Sequence, residues 1–339
     1  MPKSDTMPPD VPPGTQGRSV TRRKFLASLG ILAGAGAVAP LFRGVSTPHP
    51  EIVEVGRPAL GTWVRISVQE SDPERARRAI QSVFAAIRRV DGQMSIHRAD
   101  SQISRVNAAA GRHAVAVDPA VTEIVSIAES AARRSGGVYD ATILPLMRLY
   151  GFYGSDRKRL PSDREIAATL AVTGFDGVRV DRAAGTLGLT REGMAIDLGS
   201  IGKGWALDCA VDALRSEGIR SALVDIGGNV YGLGAPERNP EGWNVGVLHP
   251  VTGRLERTFL LRDTAVATSG NTEQGRVLGG VRVGHLFDAR LGRPANGHLS
   301  ASVQARTGVQ SDTLSTVAFL LGPDRFHGWP EATDVHFVA

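Results

Sequence analysis

The stretch AIDLGSIGKGWALDCAV, running from Ala195 to Val211, decides how this chain is read. An apolar run ends at Leu198. Glycines at 199, 202 and 204 allow tight turns, and apolar residues then recur at helical spacing from about Trp205. The pattern predicts strand, loop and helix in that order. A helix start offers unpaired N–H groups and a partial positive charge, so the loop suits phosphate, and Asp197 and Lys203 add a charge of each sign. It is not a Walker P-loop, because Asp197 stands where the first glycine belongs and Gly204 where Ser or Thr follows the lysine. On this stretch alone two readings stand, an anion and metal platform or a plain glycine-rich connection between strand and helix.

Outward from this centre, the N-terminal side predicts a strand pair from Ile52 to Val68, broken by Gly56, Pro58 and Gly61. A helix capped at Ser71-Asp-Pro-Glu follows, with Ala76, Ile80, Val83, Phe84, Ile87 and Val90 on one face. Met94 to Asn107 is polar and loop-like, with Asp100 or Ser101 able to cap a short helix, and a helix from Asp118-Pro stops at Gly136-Gly137. Leu144 to Gly151 reads as a buried helix, Pro161-Ser-Asp opens a short one, and Val178–Val180, Thr186–Leu189 and Ala195–Leu198 read as short strands. On the C-terminal side, strands are expected at Ala222 onward, Trp243–Leu248, Arg257–Leu261, Ala265–Thr268, Arg282–Phe287 and Ser302–Ala305. A last helix opens at Asp312, with Leu314, Val317, Ala318 and Leu321 on its apolar side. Helices scattered among many short strands indicate an α+β fold, and no internal repeat is present.

The formal charge is +5, which raises the question of nucleic acid. Residues 1–50 hold Lys3, Arg18, Arg22, Arg23, Lys24 and Arg43 against Asp5 and Asp10, so this segment carries +4 and the remaining residues +1. The basic excess belongs to the leader, and a nucleic-acid role has no support. That leader reads SVTRRKFL from Ser19, followed by an uncharged Gly/Ala-rich run from Ala27 to Leu41, the pattern of a Tat export signal. The expected organisation is a signal peptide and linker over residues 1–45 and one domain over 50–339. The expected location is periplasmic or extracytoplasmic, with membrane association if the leader stays uncleaved. The apolar run is short of the roughly 20 residues that a span needs. The single cysteine, Cys209, excludes an internal disulfide and reads as a core residue.

Several separated motifs occur in a fixed order: Leu60-Gly-Thr, Met94-Ser with Ser101 to Asn107, Gly137-Val-Tyr-Asp-Ala-Thr, Asp197-Leu-Gly-Ser-Ile-Gly-Lys-Gly, Val224-Asp-Ile-Gly-Gly-Asn, Thr268-Ser-Gly, His285-Leu-Phe-Asp-Ala-Arg-Leu-Gly-Arg-Pro and Asp312 to Thr316. In order and spacing they resemble the ApbE family, the FAD:protein FMN transferases, from about Val53 onward. The resemblance implies an ApbE-like, T-fold-related α+β fold with mixed and antiparallel sheets and packed helices. It implies a magnesium-dependent transferase that splits the FAD diphosphate, attaches FMN through its phosphate to a Thr or Ser of a target flavoprotein, and releases AMP. Its nearest alternatives are a pyrophosphatase that hydrolyses FAD to FMN and AMP, and a non-catalytic exported FAD-binding protein.

By the same resemblance, Ser200, Asp312 and Thr316 would hold Mg²⁺. Leu60, His97, Val138, Tyr139, Asp140, Asp197, Lys203 and Phe287 would line the FAD site, and His285 would take the proton from the acceptor hydroxyl. The residues are chemically suited to these tasks. Positions i and i+4 share a helix face, so Asp312 and Thr316 can meet one hard cation. Histidine titrates near neutrality, as a general base must. Read without the resemblance, Asp312 is equally an N-cap, Thr316 a half-buried helix residue, Tyr139 core, Lys203 a solvated loop residue and His285 a strand-end histidine. Leu60 replaces the methionine usual in the family, keeping an apolar wall. Gly284 stands where a second histidine is frequent, and the proline and threonine common after Asp288 are missing.

Overall fold

The computed structural model describes residues 52–154, 156–272, 274–295 and 297–339. The twin-arginine leader lies outside these residues. The chain opens with a hairpin, β1 (Ile52–Ala59) and β2 (Thr62–Gln69), then α1 (Pro73–Met94), α2 (Gln102–Ala108), β3 (Val115–Ala116) and α3 (Pro119–Arg134). Next come α4 (Leu144–Leu149), α5 (Asp163–Leu170), β4 (Val178–Asp181), β5 (Thr186–Leu189) and α6 (Gly202–Ser216). Strand-rich structure follows: β6 (Ala222–Ile226), β7 (Asn229–Leu233), β8 (Trp243–Leu248), β9 (Leu255–Leu261), β10 (Thr264–Gly270), β11 (Gly275–Leu278), β12 (Val281–Gly284), β13 (Phe287–Asp288), β14 (Arg293–Pro294) and β15 (Ser300–Ala305). Helix α7 (Gly308–Leu321) and strand β16 (Ala332–Val338) complete it.

Seven strands form one antiparallel sheet in the order β1-β2-β6-β7-β10-β15-β16. Alternation decides its faces. Val224, Tyr231, Ala265, Ala301 and Val303 point to the side covered by α1, α6 and α7 and share the main core with Ile80, Val83, Leu207, Val211 and Val317. Val230 and Val266 point to the opposite side and pack with Trp243, Val245, Phe259 and Leu261 of the β8–β9 hairpin. A further apolar cluster joins Leu144, Met147, Tyr150, Ile166, Ala195, Leu278, Val283 and Phe287.

The α+β expectation holds, with three local corrections. The run Ala195–Leu198 forms only a single parallel bridge, Ile143 to Ala195, and is no strand. The Asn107 side chain takes the place of a neighbouring strand there. Its amide donates to Ile196 O at 2.9 Å, and its Oδ1 accepts from Ile196 N–H at 2.7 Å, while Asp197 N–H donates to Ala141 O. The last helix starts at Gly308, a turn before Asp312, because Thr307 is its cap and accepts from Gln310 N–H at 3.2 Å. The expected strand Arg282–Phe287 is split into β12 and β13, leaving His285 in the break. Cys209 is half-buried against the main core.

Candidate active site

The glycine loop runs from Gly199 into α6, whose first residue is Gly202. Asp197 anchors the loop, its Oδ1 accepting from Gly199 N–H at 2.8 Å. Helix α7 crosses the start of α6 at closest range. A Cβ on Gly204 would lie 2.2 Å from Gly308 O, so only glycine permits this approach. The crossing delivers Asp312, 3% exposed, to the loop: its Oδ2 accepts from Gly204 N–H at 2.9 Å. The Lys203 ammonium lies 3.4 Å from Asp312 Oδ1 and donates to Gly199 O at 3.3 Å. One turn further along α7, Thr316 Oγ1 stands 3.1 Å from Ser269 Oγ, and Ser269 Oγ lies 2.8 Å from Ser315 Oγ. Strand β10 therefore holds the hydroxyl face of α7. Ser200 Oγ donates to the Tyr139 hydroxyl at 3.2 Å.

These groups share one electrostatic environment. Burial pushes the Tyr139 phenol above its ordinary range, and the carboxylates of Asp312, Asp140 and Asp197 push the same way, so it stays protonated. Burial also raises the Asp197 carboxyl, while the Gly199 N–H, Tyr153, His97 and Lys203 pull it back. Tyr153 donates to Asp197 and meets the His97 ring edge-on at 5.5 Å, which ties exposed His97 to the loop.

His285 is half-buried, and its Nδ1 lies 3.2 Å from Gln274 O. A carbonyl only accepts, so Nδ1 carries the proton in this contact and Nε2 keeps a free lone pair. Withdrawal from water, and in smaller measure the positive charge of Lys203, hold the imidazole below its ordinary pKa. The ring is therefore neutral at pH 7, the form a general base requires.

The remaining expected residues are held by contacts of their own. Leu60 occupies the β1–β2 turn in left-handed conformation, φ 50°, followed by Gly61 at 68°, the signs that a two-residue I′ hairpin turn requires. Val138 is fully buried in the main core. Asp140 caps its own loop, Oδ1 accepting from Thr142 N–H and Oγ1–H at 2.7 Å each. Phe287 is buried, its ring 4.8 Å from Tyr150 and 6.0 Å from Phe152, in both cases edge-on. Sequence reasoning missed Tyr153 as a partner of Asp197, Asn107 as the clamp on the loop's approach, and Ser269 with Ser315 as supports of Thr316. Asn107, Ser269 and Ser315 lie inside motifs and Tyr153 does not, and nothing local marks their partners.

The donor set fits a small hard cation. Among the described residues no group of three or more His, Cys, Asp or Glu could hold a metal. The oxygens here are one buried carboxylate, the hydroxyls of Ser200 and Thr316 and the Gly199 carbonyl. Magnesium is commonly bound in this way, by one or two carboxylates with substrate phosphates completing the shell. A cationic group, the Lys203 ammonium, already lies against two of these oxygens.

The chain belongs to the ApbE family, whose profile matches residues 60–338. It is 31% identical over 271 residues to the FAD:protein FMN transferase of Klebsiella pneumoniae, covering 78% of this chain and 81% of that protein. It is 29% identical over 318 residues to the enzyme of the same name from Vibrio cholerae, covering 91% and 90%. Among solved structures, the ApbE protein of Thermotoga maritima superposes with a TM-score of 0.74 at 31% identity, over 80% of this chain and 87% of that one. The flavin transferase ApbE of Vibrio cholerae gives 0.74 at 26% identity, over 85% and 97%.

Proposed function

We propose that this protein is a FAD:protein FMN transferase that uses magnesium and acts outside the cytoplasm after export through its twin-arginine leader. The observation that carries the site reading is the bond from Gly204 N–H to Asp312, which brings a buried carboxylate to a phosphate-competent helix start from 108 residues away. A magnesium ion at these oxygens would supply Lewis-acid neutralisation of the diphosphate.

The protein's own groups do the rest. The Lys203 ammonium and the partial positive charge at the start of α6 attract the phosphates of FAD. His285 Nε2 takes the proton of an acceptor Thr or Ser hydroxyl, whose oxygen forms a bond to the FMN-side phosphorus. The bridging P–O bond breaks, and AMP leaves with the electron pair. Tyr139, kept protonated, orients Ser200.

Purified protein with FAD, Mg²⁺ and a candidate flavin-carrier domain should release AMP and yield a fluorescent protein band in a denaturing gel. AMP without the band identifies a pyrophosphatase, and neither product identifies a binding protein. The export reading predicts that replacing Arg22 and Arg23 together by Lys leaves the protein in the cytoplasmic fraction. Among the described residues no helix is long and apolar enough to cross a membrane.

A further inference from the structure

Helices α6 and α7 meet start to start through a reciprocal exchange. Asp312 of α7 accepts from Gly204 N–H of α6 at 2.9 Å. In return, Asp208 of α6 accepts from two N–H groups at the start of α7, Gly308 at 2.6 Å on Oδ1 and Val309 at 2.9 Å on Oδ2. In each helix the aspartate follows the close-contact glycine by four residues, one turn, so both helices present the same face. The approach is tight from both sides, since a Cβ on Gly308 would lie 2.5 Å from Gly204 O. Asp312 belongs to the metal site, whereas Asp208 binds across the contact to the first turn of α7. Its carboxyl is held there at a cost: burial pushes its pKa up to about 6 against the pull of the two N–H groups, with Asp212 adding to the rise and Arg215 opposing it.

We infer that Asp208 is a positioning residue for the magnesium site, fixing the first turn of α7 against α6 and so fixing where Asp312 and Thr316 stand relative to the glycine loop. The inference rests on the metal reading given above. Asp312 lies one helical turn beyond the pair of N–H groups that Asp208 holds, roughly 6 Å along the axis at about 1.5 Å per residue. A loosened first turn therefore shifts the Asp312 carboxylate directly. Magnesium demands near-ideal octahedral geometry with oxygens at about 2.0–2.1 Å, so displacement there reads out as lost metal affinity. Groups that orient a metal ligand typically cost about 10–100-fold in affinity when replaced.

The test is Asp208→Asn in the full-length protein. The side chain keeps its shape, but one of the two N–H groups then faces an amide NH₂ instead of an oxygen. Mg²⁺ binding in the presence of FAD is measured by calorimetry, and Mn²⁺ binding by the loss of its free-ion resonance. AMP release is followed against Mg²⁺ concentration, and amide exchange at Gly308 and Val309 alongside. Expected are a fall of about 10–100-fold in metal affinity, faster exchange at the two amides, and turnover that returns to the wild-type rate at saturating Mg²⁺. Wild-type metal affinity with only a lowered melting temperature makes Asp208 a structural cap and overturns the inference. Should Asp208→Asn fail to fold, Asp208→Glu, which keeps the charge and displaces it by one methylene, must weaken metal binding in the same direction; wild-type affinity there also overturns it. If Asp312→Asn loses metal while Asp208→Asn does not, only this inference fails. If the wild-type protein binds no Mg²⁺ with FAD, the metal reading fails with it.

Discussion

Replacing Asp312 by Asn separates the proposed role of metal ligand from that of helix cap. In the folded protein the carboxylate accepts one buried N–H, from Gly204 at 2.9 Å, and lies 3.4 Å from the Lys203 ammonium, itself about one-third exposed. Asparagine can keep an oxygen on the Gly204 N–H. The change from a charged to a neutral acceptor then costs about 1 kcal/mol, and loss of the negative charge at a helix start about 0.3–1 kcal/mol more. The partly solvated lysine pair adds little. The metal-free variant should therefore be destabilised by about 1–2 kcal/mol, at about 2–4 °C in Tm for each, and should fold normally. Metal-dependent cleavage should fall by more than about 100-fold, since a direct ligand costs more than a group that orients one. The assay is AMP release against Mg²⁺ concentration, together with the Mg²⁺-induced shift in Tm with FAD present. Asp312→Ala should lose the same activity and an additional ~1–3 kcal/mol, because the Gly204 N–H is then buried without a partner. An Asp312→Asn protein with wild-type Mg²⁺ dependence would refute the assignment.

His285→Ala should bind FAD normally and lose about 10²–10⁴-fold in FMN transfer, read from the fluorescent band; an unchanged transfer rate removes His285 from the mechanism. Because its pKa is lowered by burial and Lys203, the acid limb of the wild-type rate should lie below about pH 6.5. The unfolded chain takes up the proton first, so the stability that neutral His285 contributes is present above that range and is lost as pH falls through it. Gly204→Ala puts a methyl 2.2 Å from the Gly308 backbone oxygen, which no rotamer change relieves. It should cost about 1–3 kcal/mol or more and weaken the Mg²⁺ response as α7 moves away; wild-type values of both would contradict the packing described. Leu60→Gly removes a left-handed leucine worth about 1–2 kcal/mol of backbone strain along with its apolar contact. Stability should stay within about 1 kcal/mol while the KM for FAD rises; an unchanged KM takes Leu60 out of the flavin site.

The parts of the fold readable from sequence are those governed by neighbours along the chain. The caps at Asp72 and Ser162, the turn glycines and the α1 face all follow short-range rules of hydrogen bonding and periodicity. The run before Gly199 is different. Its apolar run reads as a strand, yet its backbone groups bond to the side chain of Asn107, 89 residues earlier. Asp312 reads as the cap of α7 because it is a strong capping residue, but its carboxylate bonds to α6 and α7 begins a turn earlier.

By itself the sequence determined a glycine-rich loop opening a helix with Asp197 and Lys203 beside it, a basic excess confined to residues 1–50 with a nearly neutral remainder, and the ordered motifs of the ApbE family. Tertiary structure alone decided that Asp312 closes on Gly204 while Asp208 closes on Gly308 and Val309. The physical reason is that this contact needs two glycines, 104 positions apart, to let two helix backbones touch. Each glycine taken alone looks like any other of the 40 in this chain. Only when the sheet sets α7 across α6 do two helix starts acquire the carboxylates that pair them.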